Sequence, residues 1–239
     1  MKKPLLVAAA LLCFAGCSSL QTQSEPNTLT SAEKRHGWKL MFDGKTPGNW
    51  HNIGKTGFPE KGWVIEDGTL RKLAKVRGGD LITDDTYSEF DLKWDWKIAP
   101  KGNNGVKYFV TDDRKGVGHE YQMLDDATEP EGKDNGKHST ASFYEVLPPW
   151  PNKPAALHPA GEWNSSRVYV HGNTVEHWLN GQKVLEYELG SQQVKDGVAK
   201  SKFRNVPHFG ERVKGHILLT DHGDEATFRN IKIRDYSKN

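Results

Sequence analysis

The chain has 239 residues, 33 Lys and Arg against 31 Asp and Glu, and a formal charge of +2, and its first 16 residues carry two Lys and no acid. The remainder is balanced, with 31 acidic side chains matched by as many basic ones, which gives no warrant for a nucleic-acid partner, since that requires a net basic field or a clustered basic face. After the leader, no segment approaches the about 20 apolar residues of a membrane span.

Met1-Lys2-Lys3 is a charged start, and residues 5–15 are an apolar run of signal-peptide length, too short to cross a bilayer. Ala15-Gly16-Cys17 then resembles a bacterial lipobox, with Phe14 where Leu is usual. Residues 1–16 are expected to be a lipoprotein signal peptide, and Cys17 the lipidated N-terminus of the mature chain. Cys13 lies in the leader, so Cys17 is the one mature cysteine and no disulfide forms. Residues 17–35 are polar and without periodicity, which predicts a flexible tether from the lipid to a single domain at 36–239. Ser18 resembles the outer-membrane sorting class. The expected location is the cell envelope, on the periplasmic side of the outer membrane, with membrane contact only through the lipid.

From Trp38 onward, short alternating runs are punctuated by Gly, Asn and Asp. The clearest spans 87–98: Phe90, Leu92, Trp94, Trp96 and Ile98 point one way, and Asp91, Lys93, Asp95 and Lys97 the other, as in a half-buried antiparallel strand. Further strands are expected at 63–66, 69–73, 105–111, 119–124, 141–146, 167–171, 174–179, 183–188, 216–221 and 227–234. Asn180-Gly181 is a strong two-residue hairpin signal, and Asp67-Gly68 and Gly172-Asn173 are weaker ones. So many strands with 24 Gly and 8 Trp predict an all-β, two-sheet antiparallel sandwich of the jelly-roll kind, because one open sheet of that size would leave long edges exposed. Residues 191–200 are the one helix of note, and the long loops 125–140 and 147–161 are where a site is expected.

Alternation over His119 to Asp126 places Glu120 and Gln122 on one face of a strand and Tyr121 and Met123 on the other, with Asp125 and Asp126 at its end. A carboxylate and an amide on one surface suit sugar hydroxyls; the plainer reading pairs Glu120 with a cross-strand Lys such as Lys107. The spacing Glu-x-Gln-x-x-Asp resembles the Glu-x-Asp-x-x-Glu strand of jelly-roll glucanases, but Gln122 and the shorter Asp125 break the two-carboxylate pattern. Lys107 shares its side of the strand with Gly105 and Phe109, and on a concave face its ammonium would stabilise a developing enolate. Among ten histidines, His222 follows a strand, where it can act as acid or base. His177 alternates with Val175 and Leu179 as a sheet histidine, and His138 lies in the acidic loop. No His spacing fits a transition metal; Asp125, Asp126, Glu129 and Glu131 offer calcium ligands without the spacing of a calcium loop, so no cofactor is assigned. Trp163 and Trp178 are candidate sugar platforms.

Taken in order, Trp38-Lys39-Leu40-Met41-Phe42-Asp43-Gly44, Asn103-Asn104-Gly105-Val106-Lys107-Tyr108-Phe109, Glu120-Tyr121-Gln122-Met123-Leu124-Asp125-Asp126, Gly161-Glu162-Trp163-Asn164, Glu176-His177-Trp178-Leu179-Asn180-Gly181 and Asp221-His222-Gly223 resemble the 3-keto-disaccharide hydrolase family. Asn104 stands where Ser is usual, and Thr220 where Gln often precedes Asp-His-Gly. The resemblance implies a concanavalin-like jelly roll that cleaves glycosides oxidised to a ketone at C3. The ketone acidifies the C2 proton, so a base removes it, the C1 substituent is expelled, and water adds. On this basis Glu120 or His222 is the expected base, Asp125 or His138 the acid, and Lys107 with Gln122 surround the keto oxygen. Asn104, Trp163, Asn164, Trp178 and Asp221 are expected to bind a carbohydrate substrate. A non-catalytic carbohydrate-binding module and a retaining glycosidase remain open, and the oligomeric state is not read from the sequence.

Overall fold

In the computed structural model, residues 25–130 and 132–237 are described; the expected signal peptide, Cys17, the tether up to residue 24, and Glu131 lie outside the described residues. The alternating runs form β1 (Trp38–Leu40), β2 (Trp50–Asn52), β3 (Trp63–Glu66), β4 (Thr69–Lys72), β5 (Leu81–Thr83), β6 (Phe90–Ile98), β7 (Asn103–Val110), β8 (His119–Leu124), β9 (Asn164–His171), β10 (Thr174–Leu179), β11 (Gln182–Glu188), β12 (His216–Leu219) and β13 (Ala226–Asp235). One sheet runs β11-β10-β9-β6-β13-β4-β3 with β1 also on β13, and the other runs β2-β5-β12-β7-β8. All these pairings are antiparallel. The architecture is the expected all-β, two-sheet antiparallel sandwich, a concanavalin-like jelly roll.

The apolar side of β6 is the spine of the core: Phe90, Leu92, Trp94, Trp96 and Ile98 are all buried. Trp94 meets Tyr121 of the facing sheet edge-on, with ring centroids 5.0 Å apart. Polar groups trapped between the sheets are joined across them, as burial demands. His177 Nδ1 lies 2.9 Å from Ala141 O and must donate to it, so Nε2 accepts from the Tyr108 hydroxyl at 2.8 Å. Tyr187 in turn completes the Tyr108 hydroxyl at 2.6 Å. His177 is thus the sheet histidine its alternation predicts. Asn180-Gly181 and Asp67-Gly68 both turn with positive φ at each residue, as two-residue hairpins require.

Four expectations need correction. Residues 141–146 are not a strand: Ala141 and Glu145 have φ of 65° and 69°, and the segment instead caps the β8 edge through Ala141 N–H to Gln122 O and Tyr144 N–H to Glu120 O. Phe109 does not share a side with Lys107. β7 bulges against β12 between the pairs His216–Val110 and Leu218–Lys107, so Tyr108 and Phe109 both enter the core. The tether does not extend to residue 35. Ser31–Arg35 is a helix, α1, closed by a Thr30–Glu33 capping box, and Asn27 exchanges hydrogen bonds with Asn230. The expected helix is present as α3 (Gln192–Ala199), but a short α2 (Lys153–Ala156) accompanies it. The strands β1, β2 and β5, three residues each, are too short for period-two alternation to reveal.

Burial pushes His177 down from its ordinary 6.5 to about 4 and His119 to about 3. The unfolded chain takes up these protons near pH 6.5, whereas the folded sites refuse them until about 4 and about 3. Their contribution to stability is therefore complete above pH 6.5 and is lost as pH falls through that window. Tm should fall between pH 6.5 and 4, and less steeply in His177→Gln; identical slopes for the two proteins would contradict this.

Candidate functional site

β8 has one face in the core, where Tyr121 and Met123 are fully buried, so Glu120 and Gln122 must project from the outer face of the five-stranded sheet. They are nonetheless only 5% and 2% exposed, because loops fold over that face. Between strands and loops lies a cavity of about 190 Å³. The strands contribute Asn103, Lys107, Glu120 and Gln122, and the loops contribute Tyr144, Lys202, Phe203 and His222.

Pairing of β7 with β8 places Lys107 opposite Glu120 and Gly105 opposite Gln122. Gly105 makes room for the acid: a Cβ there would lie 2.1 Å from Glu120 Oε1. The Lys107 ammonium donates to Gly116 O at 3.3 Å, so the acid's ionic contact is instead His222, with Nε2 3.8 Å from Glu120 Oε1. The His222 side chain is 43% exposed and that of Glu120 6%. A desolvated carboxylate, a half-exposed imidazole and an ammonium therefore share one cleft, which is the equipment for moving a proton and stabilising an oxyanion.

His222 is positioned by its neighbour. Asp221 accepts from Gly78 N–H at 2.7 Å, Gly79 N–H at 2.8 Å and Gly223 N–H at 3.0 Å. The fully buried Lys72 ammonium lies 3.0 Å from its carboxylate, and also donates to Leu73 O and Val76 O. Burial works to raise the Asp221 pKa, but Lys72 and the Gly78 and Gly79 amides outweigh it and hold the carboxyl below its usual range. Asp221 is thus committed to the protein and not to a ligand, contrary to the expectation from sequence.

Other expected site residues also lie elsewhere. Asn104 faces the interior, fully buried, and donates to Thr220 O; its neighbour Asn103 lines the cleft. Asp125 accepts from Lys101 N–H at 2.8 Å and Thr128 Oγ1 at 2.5 Å. It lines a different cavity, of about 300 Å³, with Asp126, Lys153 and His158. Glu120 lines the first cavity and Asp125 the second, so the two carboxylates do not face each other across one cleft as a retaining pair must. Asp126 is paired with Lys153 and bonded to Thr140, and among the described residues no group of three or more His, Cys, Asp or Glu is arranged to hold a metal. His138 Nε2 lies 3.2 Å from the Glu145 carboxylate and its ring packs on that of Tyr144, outside the cleft lining.

The two tryptophan platforms are covered by cations on the outside of the eight-stranded sheet. Arg229 lies 3.9 Å and Lys97 5.0 Å from the Trp163 ring, and Arg167 lies 5.3 Å from that of Trp178. Asn164 is buried and clamps His158 and Asn180. Asn103 was legible, since the period that groups Gly105 with Lys107 also selects it. Tyr144, Lys202 and Phe203 come from irregular loops and carry no local signal.

Lys72→Met should lower stability by about 3–5 kcal/mol, because it strands a buried carboxylate. Urea denaturation should show part of the loss recovered in Lys72→Met with Asp221→Asn, which removes the unpaired charge and keeps an acceptor for the Gly78 and Gly79 amides. An unchanged midpoint in the single variant would contradict the buried-pair account.

Comparison with known proteins covers this same domain. The sequence model of the 3-keto-alpha-glucoside-1,2-lyase-like domain matches residues 37–234. A 3-keto-disaccharide hydrolase of Bacteroides thetaiotaomicron is 33% identical over 88% of this chain and 82% of its own. Two crystal structures from Parabacteroides distasonis, of proteins provisionally named glycosyl hydrolases, superpose well. One has TM-score 0.77 and 34% identity over 89% of this chain and 100% of that one; the other has TM-score 0.69 and 29% identity over 83% and 98%. Because the match runs through every strand that builds the cleft, the chain belongs to the 3-keto-alpha-glucoside-1,2-lyase-like domain family.

Proposed function

We propose that this protein cleaves glycosides whose sugar carries a ketone at C3, by elimination across C1–C2 followed by hydration. The observation that carries the reading is the meeting of Glu120, His222 and Lys107 in one cleft from which Asp125 is absent. Direct retaining hydrolysis needs a second carboxylate across the glycosidic bond. Elimination needs one base, one acid and one oxyanion partner, and this is the set present.

Glu120, poorly solvated and acceptor-only when ionised, takes the C2 proton. The electron pair left on C2 is delocalised toward the C3 oxygen, where Lys107 and the Gln122 amide stabilise the enolate. Collapse of the enolate forms the C1–C2 double bond and expels the C1 oxygen, to which His222, acting as the general acid, gives a proton. Water then adds at C1 and C2 is reprotonated, giving the free 3-keto sugar. The expected acids Asp125 and His138 are replaced in this scheme by His222. A carbohydrate-binding module would need only aromatic platforms and neutral amides, whereas this cleft also gathers Glu120, His222 and Lys107, and Trp163 and Trp178 lie under cations away from it. Cys17 would anchor the enzyme by lipid to the envelope, on the periplasmic side of the outer membrane.

The purified domain should turn over 3-keto-disaccharides but not their unoxidised parents. Glu120→Gln and His222→Ala should each lower kcat by about 10²–10⁴-fold, the range for a general acid or base. Turnover of the unoxidised parents, or full activity in both variants, would overturn the proposal.

A further inference from the structure

The elimination leaves one charged group of the cleft without employment. When Glu120 accepts the proton it loses its charge as the enolate gains one, so the net charge of the cleft does not change at that step. His222 serves the leaving oxygen. Lys202, also in the lining, is surplus to this balance.

Its placement is specific. The Lys202 ammonium lies 4.4 Å from the Tyr144 ring centroid and 5.2 Å from that of Phe203. Aromatic faces hold a cation by their quadrupole without cancelling its charge. Among the described residues Lys202 has no ion pair. Glu145, next to Tyr144 in the chain, is already engaged by Lys137 at 3.3 Å and His138 at 3.2 Å. Glu120, Gln122 and Lys107 come from the strands, where the reacting C2 and C3 must sit. A sugar bound in that way can direct its C1 group toward the loops, where Tyr144 and Phe203 seat the Lys202 ammonium.

We propose that Lys202 is a specificity-determining residue that selects glycosides whose leaving group bears a carboxylate, such as a disaccharide whose reducing end is oxidised to an aldonic acid. The inference rests on the 3-keto-glycoside reading of the site. An exposed pair of this kind gives a modest preference, about threefold to fivefold, and salt screens it.

The test compares kcat/KM for 3-keto-maltose and 3-keto-maltobionate at low and high ionic strength. The wild-type protein should favour the acid about threefold to fivefold at about 0.01 M salt and lose most of the preference near 1 M. Lys202→Gln should abolish the low-salt preference, and Lys202→Glu should invert it. Equal kcat/KM values in the wild type at low salt, or a preference that survives in Lys202→Gln, would overturn the role of Lys202 while leaving the reaction intact. Absence of turnover of both compounds would instead overturn the reaction on which the inference rests.

Discussion

Lys107 stands opposite Glu120, and Gly105 leaves space for the acid, only because β7 and β8 pair in one register. A slip of one residue would turn Glu120 and Gln122 into the core and Tyr121 and Met123 outward. Two features oppose the slip. The bulge at Tyr108 and Phe109 commits two successive large rings to the interior, and the Tyr108 hydroxyl is fixed to His177 and Tyr187 of the opposite sheet. The hydrogen bonds that join the sheets therefore also aim the charged side chains on the outer face.

The second half of the cleft comes from far away in sequence, and a buried charge pair attaches it. Lys72 at the end of β4 holds the loop 73–79 by two carbonyls and reaches Asp221, which precedes His222. A buried ion pair is a poor source of net stability compared with apolar packing. Its value here is geometric, since every acceptor of Asp221 is saturated and the backbone that carries His222 is tied down beside Glu120. The imidazole itself stays half exposed, free to exchange protons with solvent.

The strands that shape the site were legible wherever alternation lasted four residues or more. β3, β8 and β10 have the bounds their patterns imply, and Glu120, Gln122, Lys107 and His222 were identifiable from their faces and strand ends. Period-two reasoning failed at Phe109, where the chain adopts φ of 59° in a bulge; at Asn104 the expectation came from the family resemblance, and alternation points to Asn103 instead. It also had no purchase on Tyr144, Lys202 and Phe203, whose positions depend on loops folding back over the sheet. Asp221 misled for a different reason. A polar residue beside a candidate histidine reads as a ligand contact, and only the three-dimensional structure reveals the buried Lys72 that occupies it.

The central claim is that Glu120 removes the proton on C2 before the glycosidic bond is lost. Cleavage of a 3-keto-disaccharide in D₂O, with product collected before it exchanges spontaneously, separates this from direct displacement at C1. The account predicts a 3-keto sugar carrying solvent deuterium at C2. Product that keeps its original C2 hydrogen, together with an unchanged rate for substrate deuterated at C2, would contradict it.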